Sequence, residues 1–394
     1  MSVIEPRLDA GVSAGDGLSR PVEETYPRAR LRLGIASVGA IVTVCAMALI
    51  FDVAAWLETI ASDGPLGDLK ALGVYVGFFL LLGAAFDLVG GRILPLAHGR
   101  PTQSRWVFGV GLVRGIVLHG AFQFLCAWGL LHSLRSGGWP MAAAFIVGAF
   151  LFLTVAQRTL VKLLGDVREE ERSPFPAKSV GTLVSAEEGF AGGITGLPGL
   201  ERIDLPGRWR SEWPAGQIQL ALARRRYAVQ SGLYWKGLAL AVAWNVAGAA
   251  FAAWVVGAPE GSVSEVAVFS LLVTLWSFVG LLVLPTASRN AVIAMDREMI
   301  RQGRSAEELA EFAADCALLQ DGEIARNDRV ETFFHPIPSL EQRWVGLETQ
   351  ASGFAGWNAS RQMLYFSWPM LGMVSRAVHG NVGRPTFWVM PPAD

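Results

Sequence analysis

The stretch Gln217-Ile-Gln-Leu-Ala-Leu-Ala-Arg-Arg-Arg-Tyr-Ala-Val-Gln-Ser231 decides how this chain is read. It lies just ahead of an apolar run, about Gly237 to Gly257, close to the roughly 20 residues that cross a bilayer core. It reads as a cytoplasmic helix delivering the chain into the membrane. Leu220, Ala223 and Tyr227 share one face of that helix, and Arg224, Arg225 and Arg226 project around it near the membrane surface.

Working outward, the composition agrees with a membrane protein. Of 394 residues 52% are hydrophobic and only 17% charged, where soluble domains run nearer ~25% charged. The expected fold is an all-α polytopic membrane protein of about six transmembrane helices, with a mainly helical cytoplasmic domain carrying a small β-hairpin. The spans fall at about Leu33–Leu57, Leu72–Gly91, Trp106–Leu134, Trp139–Leu160, Gly237–Gly257 and Val266–Pro285. Arg and Lys follow the second, fourth and sixth spans, and acidic residues follow the first and fifth. The positive-inside rule then puts both termini and the long fourth loop in the cytoplasm, in a bacterial inner membrane. The first 30 residues hold no apolar signal region and read as a flexible tail.

This divides the chain into a tail (1–30), a four-span region (31–164), a loop with hairpin and helix (165–235), two spans (236–287), a helical region (288–350) and a C-terminal amphipathic helix with tail (351–394). Within the loop, Val180–Leu183 and Gly199–Leu205 look like strands. The glycines of Gly189–Gly199 are not followed by a Walker lysine, so a tight hairpin is the better reading. Ser305-Ala-Glu-Glu308 is a capping box. The net charge of −1 is uninformative about partners, and no basic tract suggests nucleic acid. Cys45, Cys126 and Cys316 are too far apart to suggest a disulfide or thiolate metal framework.

Four features in order resemble the integral-membrane zinc metallopeptidases of the CAAX-prenyl-protease and heat-shock membrane-protease kind, over roughly Gly181–Leu347. They are the glycine-rich hairpin Gly189–Leu205, where that family places a substrate-binding edge strand, and the helix Gln217–Ser231, where it holds its metal motif. After two spans come Ser288-Arg-Asn-Ala-Val-Ile-Ala-Met-Asp296, similar to Ser-Arg-x-x-Glu-x-x-Ala-Asp, and His335-Pro-Ile-Pro-Ser-Leu-Glu341, similar to the family's His-Pro-Ser-x-x-Glu turn. The resemblance implies a zinc site built from His-Glu-x-x-His and a third carboxylate.

The chemistry for that site is missing. Zinc catalysis needs three protein ligands and an open position for water, with a helix supplying two His at i and i+4 and a Glu acting as base. In the best register Arg224 and Ala228 stand where the histidines belong, Arg225 where the base belongs and Val292 where the third ligand belongs. Arg is permanently protonated and has no acceptor atom. The loss is not a matter of register, because the five histidines, His98, His119, His132, His335 and His379, include no pair four apart. Asp296, with no ligand to orient, is expected either to pair with an arginine of the 224–226 group or to be solvated. His335 reads as a turn residue.

Inside the spans, Asp87 and Arg114 lie at similar depth and are expected to pair, because an intramembrane charge normally finds a partner. His119 reads as hydrogen-bonded to a neighbouring helix, although a lone intramembrane His can also ligate a pigment or haem from a partner. Trp106, Trp139, Trp209, Trp213 and Trp235 fit an interfacial belt. Trp357–Val378 is amphipathic, with Leu364, Trp368, Leu371 and Ser375 on one face, and Pro369 is expected to kink it. It reads as an in-plane or docking helix, and the apolar end after it as a segment resting on its own domain or on a partner.

The reading that follows is a catalytically inactive relative of the membrane zinc proteases. It would have no catalytic residue, metal or cofactor and would serve as a scaffold or accessory subunit of a larger membrane assembly, an energy-transducing respiratory or photosynthetic complex being one such assembly. Its expected partners are membrane lipids and other integral membrane proteins, reached through the spans and the C-terminal tail. The alternatives are a protease active with an unusual metal or nucleophile and a regulator that binds membrane-protein clients without cutting them.

Overall fold

With no water in a bilayer core to satisfy the peptide group, long apolar runs close their hydrogen bonds within helices. The computed structural model describes residues 25–62, 64–170, 179–320, 326–349 and 353–393. The tail reading for residues 1–24 lies outside the described residues; from Tyr26 the chain is already helical.

The elements are α1 (Tyr26–Ile50), α2 (Val53–Ala61), α3 (Pro65–Leu88) and, after a π-helical turn at Val89–Ile93, α4 (Leu94–Ala97); then α5 (Arg105–Leu164), β1 (Val167–Glu169), β2 (Val180–Ser185), β3 (Gly193–Thr195), β4 (Arg202–Pro206), α6 (Trp209–Glu212), α7 (Ala215–Gln230), α8 (Leu233–Val256), α9 (Val263–Val283), α10 (Pro285–Arg301), α11 (Ala306–Leu319), α12 (Asp328–Phe334), α13 (Leu340–Glu348), α14 (Ala359–Phe366) and α15 (Pro385–Val389). Five helical stretches, α1, α3–α4, α5, α8 and α9–α10, are long and apolar enough to cross a membrane. The 60-residue α5 breaks at Gly137 and Gly138, where φ is −162° and +61°, just ahead of Pro140. Those residues cannot continue a helix, so α5 is two helices meeting at a break, each longer than the roughly 20 residues that cross a bilayer core. Where an acidic loop is expected after the first span, the short helix α2 lies instead, started by the Asp52 side chain accepting from Ala55 N.

The polar domain carries a four-stranded sheet in the order β1-β2-β4-β3. β3 and β4 form the expected hairpin, while β2 pairs parallel to β4 and antiparallel to β1. The sheet is tied to the end of α5. Arg158 bonds both Asp204 and Glu169, and its guanidinium, with Lys162, holds the Glu169 carboxyl down at about 2.

The C-terminal segment departs from expectation. It is not one amphipathic helix, in-plane or otherwise. From Gly356 to Ala393 every residue is buried except His379, Gly380, Arg384 and Pro385, which are half-buried. It runs among the spans as α14, two 3-10 turns (Trp368–Met370 and Met373–Arg376) and α15, lying against α8, α5, α9 and α1. An irregular backbone at that depth must have its polar groups satisfied, and the spans provide the partners. Asn245 Nδ2 donates to Met363 O, Gln157 Nε2 to Val389 O and Ser270 Oγ to Leu371 O. Tyr365 Oη donates to Leu153 O, and Arg30 donates to His379 O and Val382 O. Leu371 holds a left-handed φ of +59° at the turn that follows Pro369. Gly237 lets the segment approach, since a Cβ there would lie 2.0 Å from Trp357 O. The reason for the difference is where the polar residues go: Asn358, Ser360, Arg376 and Asn381, among others, are buried within the protein, so no face is left for water.

Candidate functional site

α7 packs on α10. Residues i and i+4 share a helix face, so Arg224 and Ala228 of α7 and Val292 and Asp296 of α10 turn toward one interior. All four are at most 2% exposed. Arg224 forms an ion pair with Asp296 and stacks over Phe312 of α11, 5.1 Å from the ring centre. Asp296 also accepts from Arg343 Nη1 of α13 at 3.2 Å. One carboxylate therefore sits between two guanidinium groups, joining α7, α10 and α13.

Arg225 points elsewhere. It is fully buried over Trp209 and donates to Ala191 O at 2.6 Å and Asp204 O at 2.9 Å, pinning the β3–β4 hairpin to α7. Arg226 is exposed, so two of the three arginines enter the core instead of ringing the membrane surface. Trp209 is 1% exposed and stacks on Trp213 at 4.1 Å; these two belong to the polar domain's core and not to an interfacial belt. Trp106, at 84% exposed, remains where a belt would place it.

The remaining family-like positions serve structure here. Ser288 Oγ accepts from Ser360 N, tying α10 to the C-terminal segment. Arg289 donates to the carbonyls of Glu331, Thr332 and His335, closing the C-terminus of α12. Ser339 caps α13 through Gln342 N. Burial, together with His379 and the nearby Arg326, Arg361 and Arg289, pushes the His335 imidazole well below its ordinary value.

A zinc ion does not fit these residues. Among the described residues the carboxylate at the position, Asp296, is already shared by two arginines, and no group of three His, Cys, Asp or Glu side chains that could hold a metal occurs. A divalent cation entering here would meet guanidinium charge in a dry setting, where like charges a few ångströms apart repel by several kcal/mol.

Within the spans, Asp87 does not pair with Arg114. It binds Arg376 and accepts from Gly383 N at 2.8 Å, while Arg114 donates to Gly165 O at 2.7 Å. The C-terminal segment brings a cation to Asp87 that a span-by-span reading does not place there. His119 packs edge-on against Trp368 at 4.4 Å, and its ring nitrogens have no hydrogen-bond partner among the described residues. Cys45, Cys126 and Cys316 are buried.

The segment also reaches the sheet. All three residues of β3 are buried. A Cβ on Gly193 would lie 3.3 Å from Met390, and one on Gly189 3.1 Å from Phe387. Arg384 forms an ion pair with Glu187 at 3.2 Å. The chain's own C-terminus thus packs against a face of the hairpin, a contact that no local sequence signal announces.

No protein-family profile matches the sequence, and no curated protein matches it. Among solved structures it is similar to Ste24p of S. mikatae, at 14% identity and a TM-score of 0.62, over 82% of this chain and 86% of that one. The chain is a multi-pass membrane protein with a fold like that of Ste24p.

Proposed function

We propose that this chain is a catalytically inactive, metallopeptidase-like membrane protein that serves as a scaffold or accessory subunit of a larger membrane assembly. The observation that carries the proposal is the joint Arg224–Asp296–Arg343, in which Arg224 stands where the resemblance to the CAAX-protease type of membrane zinc metallopeptidase puts a histidine ligand. A protonated guanidinium neither binds a metal nor accepts a proton from water. The Ste24p-like fold supports the ancestry this implies.

Solubilisation in a mild detergent followed by native separation and mass spectrometry tests the accessory role. The proposal expects stoichiometric membrane partners that persist through purification. A monomer that carries no partner and cleaves a membrane-tethered peptide would overturn it. A monomer that traps uncut client helices would favour the regulatory alternative.

A further inference from the structure

Arg361, on α14, stands apart from the other buried arginines. It is 8% exposed, and its guanidinium makes no hydrogen bond or ion pair among the described residues, Nη1 being sealed from solvent. The rest are answered. Arg225 and Arg289 are held by backbone carbonyls, Arg224 and Arg343 share Asp296, and Arg376 holds Asp87. Arginine cannot discard its charge by titration, and a buried ion without a counter-charge is among the costliest arrangements in a protein. In a native fold such a group marks a missing water, ion or ligand.

Two cavities meet at this side chain. One, of about 50 Å³, lies under the His335–Ser339 turn, where Arg326, Arg384, His335 and His379 join Arg361 and no Asp or Glu lines the wall among the described residues. The two imidazoles are 5.0 Å apart. The other, of about 250 Å³, is an apolar cleft between the first half of α1 and the end of α9, walled by Leu31, Ile35, Phe278 and Leu281 and closed by Phe334. Pro336, Arg361 and His379 line both. Gly380 leaves room for the guanidinium, since a Cβ there would lie 2.8 Å from Nη1.

We propose that this is a binding site for an anionic phospholipid, its phosphate held by Arg361 in the cationic pocket and one acyl chain laid in the cleft between α1 and α9. The planar guanidinium suits a phosphate, which it can grip through two parallel hydrogen bonds. The cleft lies between two membrane-crossing helices, so lipid is the amphiphile at hand and reaches the pocket from the bilayer. The inference does not depend on whether the chain cleaves peptides.

The test uses the full chain, with bound lipid counted after purification in mild detergent. Melting is then followed on delipidated protein titrated with dioleoyl phosphatidylglycerol, dioleoyl phosphatidylcholine or inorganic phosphate. About one anionic phospholipid per chain is expected. Phosphatidylglycerol should act at roughly tenfold lower concentration than phosphatidylcholine, the factor one charge-assisted contact supplies. Arg361→Met should abolish that preference while melting no lower than wild type without lipid, because it removes an unanswered charge. Leu281→Trp, which fills the cleft and leaves the cations in place, should abolish lipid binding, so the outcome does not rest on one variant folding. Equal action of the two lipids, or phosphatidylglycerol retained by Arg361→Met, would overturn the proposal. Stabilisation by inorganic phosphate equal to that by phosphatidylglycerol would also overturn it, assigning the pocket to a free anion.

Discussion

Replacing Asp296 by Asn tests the joint between α7, α10 and α13 directly. The amide keeps the shape of the carboxylate and removes its charge. Arg224, fully buried, and Arg343, 5% exposed, would then both lose the carboxylate they share. Removing one partner of a buried pair costs about 3–5 kcal/mol because the other charge is stranded. Two buried guanidinium groups lose the shared carboxylate here, so a cost within that range, about 3–5 kcal/mol, is expected. Arg224→Met differs in kind. It leaves Arg343 on Asp296 and sets an apolar side chain against Phe312, at a cost of about 1–2 kcal/mol, in the range of ordinary point substitutions. The double variant should cost less than the sum of the two, with about 1–3 kcal/mol of coupling. Unfolding in mixed micelles by titrated sodium dodecyl sulfate, followed by circular dichroism, measures each value. An Asp296→Asn protein within about 0.5 kcal/mol of wild type, or an Arg224→Met protein weaker than it, would show that this carboxylate does not hold the helices together.

Three further outcomes are expected. Arg376→Met leaves Asp87, 1% exposed, with only Gly383 N for support; it should cost about 3 kcal/mol or more in the same titration, whereas Arg114→Met, which loses a carbonyl contact, should cost about 1 kcal/mol. Gly237→Ala should destabilise by about 1–3 kcal/mol as its Cβ meets Trp357 O, while Gly148→Ala, whose Cβ meets nothing, should stabilise α5 by up to about 1 kcal/mol; thermal melts of the pair separate packing from helix propensity. His335 has a folded-state value lowered by burial and by the cations around it, so the unfolded chain takes up a proton that the folded one refuses. Its contribution is complete above about pH 6.5 and falls as the pH drops below that, at up to about 1.4 kcal/mol per unit. Melting curves between pH 7.5 and 5 should therefore be flatter for His335→Gln than for wild type.

The spans, the break before Pro140, the Ser305–Glu308 capping box and the β3–β4 hairpin were legible because each rests on local chemistry: apolar run length, backbone freedom at Gly138, or a side chain answering an amide three residues away. The meeting of Arg224, Ala228, Val292 and Asp296 was legible because residues four apart share a helix face. The C-terminal segment was not. Its polar contacts join residues far apart in the chain, Asp87 to Arg376 and Arg30 to Val382, and an apolar stretch broken by Gly and Pro carries no mark saying whether it rests on a surface or fills an interior. The Asp87–Arg114 expectation failed for the same reason, since similar depth in two spans says nothing about a third cation arriving from the terminus.

The measurement that bears most directly on the central claim is the zinc content of the full chain, purified without chelator from zinc-supplemented cells and determined by inductively coupled plasma mass spectrometry. A joint made of Arg224, Asp296 and Arg343 predicts far less than one zinc per chain, unchanged by Asp296→Asn. Close to one zinc per chain, lost in that variant, would contradict it.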